Sequence, residues 1–134
     1  MVLDTKKRIP IFATVNKRLV ISTPQELVRI APENVVYFSS DGNYTTMFQS
    51  DGENKVFTIQ LGKIGEMINE QFSADESTFV RIGRSLIINW SYVYLVNVPK
   101  QRLVLSDIRS FKYELHASYD ELKSLKEGLE KMTR

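Results

Sequence analysis

Phe79-Val80-Arg81-Ile82-Gly83-Arg84-Ser85-Leu86-Ile87-Ile88-Asn89 is the stretch from which the fold is read. Two short apolar segments, Phe79 to Arg81 and Leu86 to Ile88, flank a polar break carrying Gly83, Arg84 and Ser85. Apolar residues that want a core, set beside arginines and a serine at a strand break, describe a loop held rigidly from behind while its tip faces a partner. The planar, always-charged guanidinium of Arg84 suits a phosphate or the O6/N7 edge of guanine, and the Ser85 hydroxyl suits a phosphate oxygen. A solvated loop with salt-bridging arginines accounts for the same residues. Arg81 alternates with core positions and fits either a phosphate or an acidic neighbour, whereas Asn89 reads as a structural hydrogen-bonding residue.

Working outward, period-2 alternation with β-branched and aromatic enrichment runs from Ile9 to His116. Strands are predicted at Ile9 to Thr14, Arg18 to Ser22, Val35 to Ser39, Tyr44 to Gln49, Lys55 to Thr58, Phe79 to Arg81, Leu86 to Ile88, Tyr92 to Val98, Arg102 to Leu105 and Ser110 to Leu115. Asp41-Gly42-Asn43, Asp51-Gly52 and Pro99-Lys100-Gln101 supply turn chemistry for three hairpins. Pro32 fits the entrance of a strand, where a missing N–H is spared. The expectation is a mainly β chain of about ten short strands.

Two stretches break the alternation. Leu61, Ile64, Ile68 and Phe72 recur at helical spacing, with Thr58 as a candidate N-cap. Gly62 and Gly65 weaken this short helix by roughly 1 kcal/mol each relative to Ala, so packing must hold it. From Ser118 to Met132 a stripe of Tyr119, Leu122, Leu125 and Leu129 follows Ser118 and Glu121, which are spaced as a capping box. That stripe either packs on the chain's own sheet or forms a homodimer contact.

The chain has 134 residues, 43% of them hydrophobic, enough for one domain with a real core. Residues 1–8 read as a lead or linker remnant and 9–134 as the domain, its C-terminal helix occupying 117–134. There is no cysteine and one histidine, which argues against a disulfide framework, a thiolate zinc site or a His-rich metal site. No cofactor is expected. The N-terminus lacks a secretory apolar core and no apolar run reaches the ~20 residues of a membrane span, so the expected location is cytoplasmic. Net charge is only +2, but residues 1–29 carry +4, 30–78 carry −6, 79–113 carry +5 and 114–134 carry −1. Bringing the first and third blocks together would make one basic face.

Enzymatic signatures are missing. His116 beside Ser118 reads as a capping or packing histidine rather than as a base serving a nucleophile. Asp41-Gly42-Asn43 opens like a calcium loop, but Gly52 stands where the closing Glu belongs, so it reads as a turn. Gly62 to Gly65 is too short to cradle phosphates. The expected answer to catalysis is no.

The pattern F-x-R-I-x-R-S-x-I-I-N over Phe79 to Asn89 is similar to the central motif of the LytTR family of DNA-binding domains. A second block, Asn34-Val35-Val36-Tyr37-Phe38-Ser39-Ser40-Asp41-Gly42-Asn43-Tyr44-Thr45, resembles the family's strand that ends in a small-residue loop carrying Asn-Tyr. The helix from Leu61 to Gln71, the hairpin from Tyr92 to Leu105 and the junction at Tyr113 to Tyr119 fall where that family has them. The resemblance spans about Ile9 to Leu125. It implies an elongated stack of small, mostly antiparallel sheets with little helix, the output domain of a bacterial response regulator in a two-component system. It further implies binding of double-stranded promoter DNA through loops that enter successive major grooves, on direct repeats occupied by two copies. The contacts it implies are Asn43 and Tyr44 in a first loop, Arg84 and Ser85 in a second, and His116 to Ser118 at the last junction. Arg81, Arg109 and Lys112 join them as phosphate contacts, which position the protein without specifying sequence.

Two departures stand out. Gly83 occupies a position where the family more often carries histidine or another polar side chain, and Ala117 one where many members have arginine. A receiver domain or sensor partner, usual in this family, has no room beside the DNA-binding domain in 134 residues, so this is a stand-alone regulator or a piece of a longer one. The competing reading is a β-sandwich interaction module anchored by Tyr37, Trp90, Tyr92 and Tyr94.

Overall fold

A computed structural model describes residues 17–132. Among the described residues, ten strands make three antiparallel sheets packed with two helices. Strands β1 (Leu19–Ser22) and β2 (Leu27–Ile30) form a two-stranded ribbon. The central sheet holds β3 (Val35–Asp41), β4 (Tyr44–Gln49), β5 (Asn54–Phe57), β6 (Phe79–Ile82) and β7 (Leu86–Asn89) in the order β5-β4-β3-β7-β6. The third sheet holds β8 (Val93–Asn97), β9 (Arg102–Ser106) and β10 (Lys112–His116) in the order β10-β9-β8. Helix α1 (Leu61–Gln71) follows β5, and α2 (Tyr119–Met132) closes the chain. This is the expected mainly β stack of small antiparallel sheets with one short and one C-terminal helix.

The central sheet is buried on both faces, which is why its middle strands read as nearly unbroken apolar runs. On one face α1 and the β1–β2 ribbon cover Val35, Phe38, Met47, Phe57 and Ile87, with Leu61, Ile64 and Ile68 turned inward from the helix. On the other face the third sheet and α2 cover Val36, Tyr37, Ile82 and Ile88, with Leu103, Leu105, Leu122 and Leu125. A bulge between Val35 and Tyr37 lets Val36 and Tyr37 both serve the second core. Fully burying side chains such as Phe38, Phe57 or Ile88 stabilises by roughly 1.5–3 kcal/mol each. The α2 stripe packs on its own sheet through Leu122, Leu125 and Leu129, while Tyr119 stays 49% exposed outside it.

Asn89 ties the layers at their lower end. It is 1% exposed, its Nδ2 donates to the Val35 carbonyl at 2.9 Å, and its Oδ1 accepts from the Ser91 hydroxyl at 2.6 Å. The structural role read from the sequence holds.

Several expectations change. The strand at Ile9 to Thr14 lies outside the described residues. β2 was not foreseen, because Leu27-Val28-Arg29-Ile30 is short, has only one buried residue and gains order by pairing with β1. Pro32 opens a 3-10 turn, Pro32–Asn34, at its first position rather than entering the strand, which starts at Val35. Thr58 does not cap α1; Gln60 occupies the N-cap without a side-chain bond, and the helix stops before Phe72. Packing supplies what the cap does not: Gly65 lies in α1 where a β-carbon would sit 3.7 Å from Ile87, so the helix approaches β7 closely.

Candidate nucleic-acid interface

Strand direction decides which loops meet. β3 ends at Asp41, turns through Gly42, which has φ +61°, and returns as β4. β7 runs antiparallel beside β3, with Ser39 opposite Leu86 and the Ser40 amide donating to the Ser85 carbonyl at 2.9 Å. The turn at 83–85 therefore lies next to the turn at 42–43, on one end of the central sheet. The N-terminus of α1 is at that end too, since Gln60 Nε2 donates to Asn43 Oδ1 at 3.3 Å.

The third sheet delivers two more segments to the same end. His116, the last residue of β10, pairs with Arg102, and its Nδ1 lies 3.2 Å from the Gln101 carbonyl in the β8–β9 turn. Beyond it the capping box forms as predicted. The Ser118 amide donates to Glu121 Oε1 at 2.9 Å and the Glu121 amide to Ser118 Oγ at 3.1 Å. Glu121 also reaches Gly83, where a built β-carbon would lie 2.8 Å from Cδ and overlap Oε2. The β10–α2 junction is thereby seated against the 83–85 turn.

Of the residues singled out in the sequence, Asn43, Tyr44, Arg84, Ser85, His116 and Ser118 are gathered at this end, and all six are exposed. Tyr44, at the start of β4, is 51% exposed and so stands on the surface rather than in the core. No hydrogen bond or ion pair engages the Arg84 guanidinium among the described residues. Ser118 Oγ accepts the Glu121 amide as a cap and His116 Nδ1 faces the Gln101 carbonyl, and among the described residues no hydrogen bond joins the two side chains.

Arg81 sits beneath the tip with a different task. Its Nε donates to the Gly83 carbonyl and its Nη2 to the Arg84 carbonyl, each at 3.0 Å. The guanidinium thus braces the turn that displays Arg84, and among the described residues it pairs with no acidic neighbour.

Arg109 and Lys112 are not brought to this end. Arg109 lies in the β9–β10 turn and Lys112 opens β10, five residues before the junction is reached at Ala117. At ~3.3 Å per residue, β10 alone separates them from His116 by about 13 Å. The opposite end is marked by Tyr113, whose hydroxyl donates to the Gln49 carbonyl, and by Tyr92, whose hydroxyl donates to the Glu33 carbonyl. Lys112 lies 3.6 Å from Glu114, which Arg102 approaches at 2.6 Å. The hydrogen bond from Arg102 holds the Glu114 carboxyl below its ordinary range.

Sequence reasoning passed over Lys100 and Gln101, read only as a turn, although the β8–β9 turn places both beside His116. Within residues 17–132, Lys100 forms no ion pair, so it adds a free cation next to Arg84's end of the molecule. Of the alternative interaction anchors, Trp90 is half-buried beside Leu125 and Leu129 of α2, and the tyrosines divide between core and surface. Tyr37 is 7% exposed and stacks on Phe48 with ring centroids 4.3 Å apart, and Tyr92 packs edge-on against Phe111. Tyr94 is 61% exposed but stands alone. Among the described residues no helix is long and apolar enough to cross a membrane.

The sequence profile described as the LytTr DNA-binding domain matches residues 25–130. Among solved structures, the chain is similar to the LytTr DNA-binding domain of a methyl-accepting/DNA response regulator from Bacillus cereus. That likeness has a TM-score of 0.56 at 14% identity, covering 84% of this chain and 96% of the other. No curated protein matches the chain.

Proposed function

The chain belongs to the LytTR family of DNA-binding domains, and on that premise we propose that it binds promoter DNA sequence-specifically to regulate transcription, through the loop end of its sheets. The observation that carries this reading is the convergence of the 42–43 turn, the 83–85 turn and the β10–α2 junction on one exposed end, with the Arg84 guanidinium unengaged at its centre. A guanidinium held out on a braced turn is preorganised for bidentate contact with a guanine edge. Asn43, Tyr44, Ser85, His116 and Ser118 surround it as further contacts, and Lys100 supplies charge toward the phosphates. The turns enter successive major grooves, and two copies occupy paired direct repeats. Arg81 acts by holding the tip rather than by touching DNA. Arg109 and Lys112, at the far end, stay outside the contact.

Arg84→Ala tests this on duplexes recovered with the wild-type chain from a random-sequence pool. Binding weakens by about 1–3 kcal/mol, confined to one base pair of the recovered site. Equal weakening on random duplexes would make Arg84 a phosphate contact, and no change on any duplex would remove it from the interface. Recovery of no enriched duplex by the wild type would overturn specific DNA binding itself.

A further inference from the structure

We propose that Glu121 is a positioning residue for the Arg84 tip. Its carboxylate occupies the space a side chain on residue 83 would fill, locks the 83–85 turn to the first turn of α2, and sets the orientation in which Arg84 meets DNA. The proposal rests on the DNA-binding reading above and adds a residue to it.

The geometry divides the carboxylate between two tasks. Oε1 accepts the Ser118 amide at 2.9 Å and completes the cap of α2. Oε2 is turned onto Gly83, which has φ +59° and no β-carbon to keep it away. A β-carbon there would overlap Oε2 and come within 2.8 Å of Cδ, so only glycine permits the approach. On the other side, Arg81 holds the carbonyls of Gly83 and Arg84. The turn is thus gripped by a cation through its oxygens and by a carboxylate against its α-carbon. A cleft of about 270 Å³ opens beside this contact between the β6–β7 hairpin and α2, so near the tip Glu121 is what bridges them. The glycine that departs from the family's usual polar residue is, in this chain, the seat of an interlock.

A cap alone would give Glu121 a role in stability and none in reading DNA, so the test separates the two. The full chain is compared with Glu121→Ala and Glu121→Gln on wild-type-selected duplexes, with and without a change at the base pair that Arg84→Ala identifies. Glu121→Ala is expected to lower discrimination at that base pair about tenfold, within the roughly 5- to 150-fold that a bidentate base contact gives. Binding to random duplexes stays within about twofold, as phosphate contacts carry it. Glu121→Gln, which keeps the shape and the capping oxygen, retains the discrimination. Should Glu121→Ala not fold, Glu121→Asp serves in its place, because it keeps an acidic group in the first turn of α2 but is too short to reach Gly83.

A second arm needs no DNA. Thermal unfolding of Gly83→Ala, Glu121→Ala and the double variant forms a cycle in which the cost of a positive φ is the same in both backgrounds and cancels. The interlock predicts that Gly83→Ala is better tolerated once Glu121 is truncated. Unchanged discrimination in the Ala or Asp variant, or additive cycle energies, would overturn the proposal. A wild-type chain that selects no duplex would instead sink the DNA-binding reading, and the cycle would still decide the interlock.

Discussion

The β6–β7 turn at 83–85 and the β9–β10 turn at 107–111 solve the same problem in opposite ways. Each links two antiparallel strands, each carries an arginine, and each needs one residue in the left-handed region, Gly83 at φ +59° and Ile108 at φ +72°. In the first turn the residue is glycine, so the backbone is held at little cost, and rigidity comes from outside through Arg81 and Glu121. In the second it is a β-branched residue for which that conformation is an outlier. There the hold is internal: Asp107 Oδ1 accepts the amides of Arg109, Ser110 and Phe111 at 2.8–3.0 Å, and Oδ2 accepts the Ser110 hydroxyl. The Ser110 hydroxyl and amide, with the other two amides, push the Asp107 carboxyl far below its ordinary range. A turn held by groups from β6 and α2 can be oriented by them, whereas the polar hold of the second turn comes from its own Asp107, and its one packing tie is the Phe111 ring against Tyr92 and Tyr113. That difference marks the first turn as the one built to present a side chain in register with other loops.

The sharpest way to break this contrast is to give residue 83 a side chain. Gly83→Ala should cost ~1–2 kcal/mol for the left-handed backbone and a further ~0.5–1 kcal/mol for swinging the capping carboxylate of Glu121 aside, read as a lowered denaturant midpoint. A cost no larger than the ~1–2 kcal/mol of the backbone alone would mean that Glu121 does not hold the turn. Ile108→Gly should act in the reverse direction. Relief of ~1–2 kcal/mol of strain outweighs the ~0.5–1 kcal/mol entropic cost of glycine, for a net gain of roughly 0.5–1 kcal/mol in the same measurement. Ile108 is 74% exposed, so little packing is lost, and a destabilised variant would show that its side chain supports the turn after all.

Much of this was legible in the sequence. Alternation and turn residues located nine of the ten strands and both helices, less β2 and with the ends shifted, because two-faced burial of β3 and β7 leaves unbroken apolar runs that mark themselves. The capping box at Ser118 and Glu121 was readable since its spacing is local. What escaped was where side chains turn, close in sequence for Arg81 and far for Glu121. Nothing in the spacing of Arg81 says that its guanidinium folds back onto two carbonyls, nor that Glu121, thirty-eight residues after Gly83, would close on it. The grouping of loops was within reach by parity: in an antiparallel succession, turns alternate between ends. The β6–β7 and β8–β9 turns and the end of β10 therefore share one end, while the β9–β10 turn goes to the other. Counting strands, once the Glu121–Gly83 contact joins the two sheets at one end, separates Arg109 from Arg84 and places Lys100 beside it. In the sequence, Arg109 and Lys112 read as phosphate contacts without a place at either end.

That parity makes the smallest effect the most discriminating. Binding to a random-sequence duplex should weaken with salt at a slope near −0.9 per phosphate neutralised. Lys100→Ala, at the tip end, should make the slope shallower by about one such unit without altering base preference. Arg109→Ala carries the same change of charge about one strand length away and should leave slope and preference where they were. Because both variants remove one exposed cation, any general effect of net charge is common to them, and the difference between them reports position alone. Equal slopes for the two variants would mean that DNA reaches both ends of the sheets, and that the self-tied turn belongs to the interface as much as the braced one.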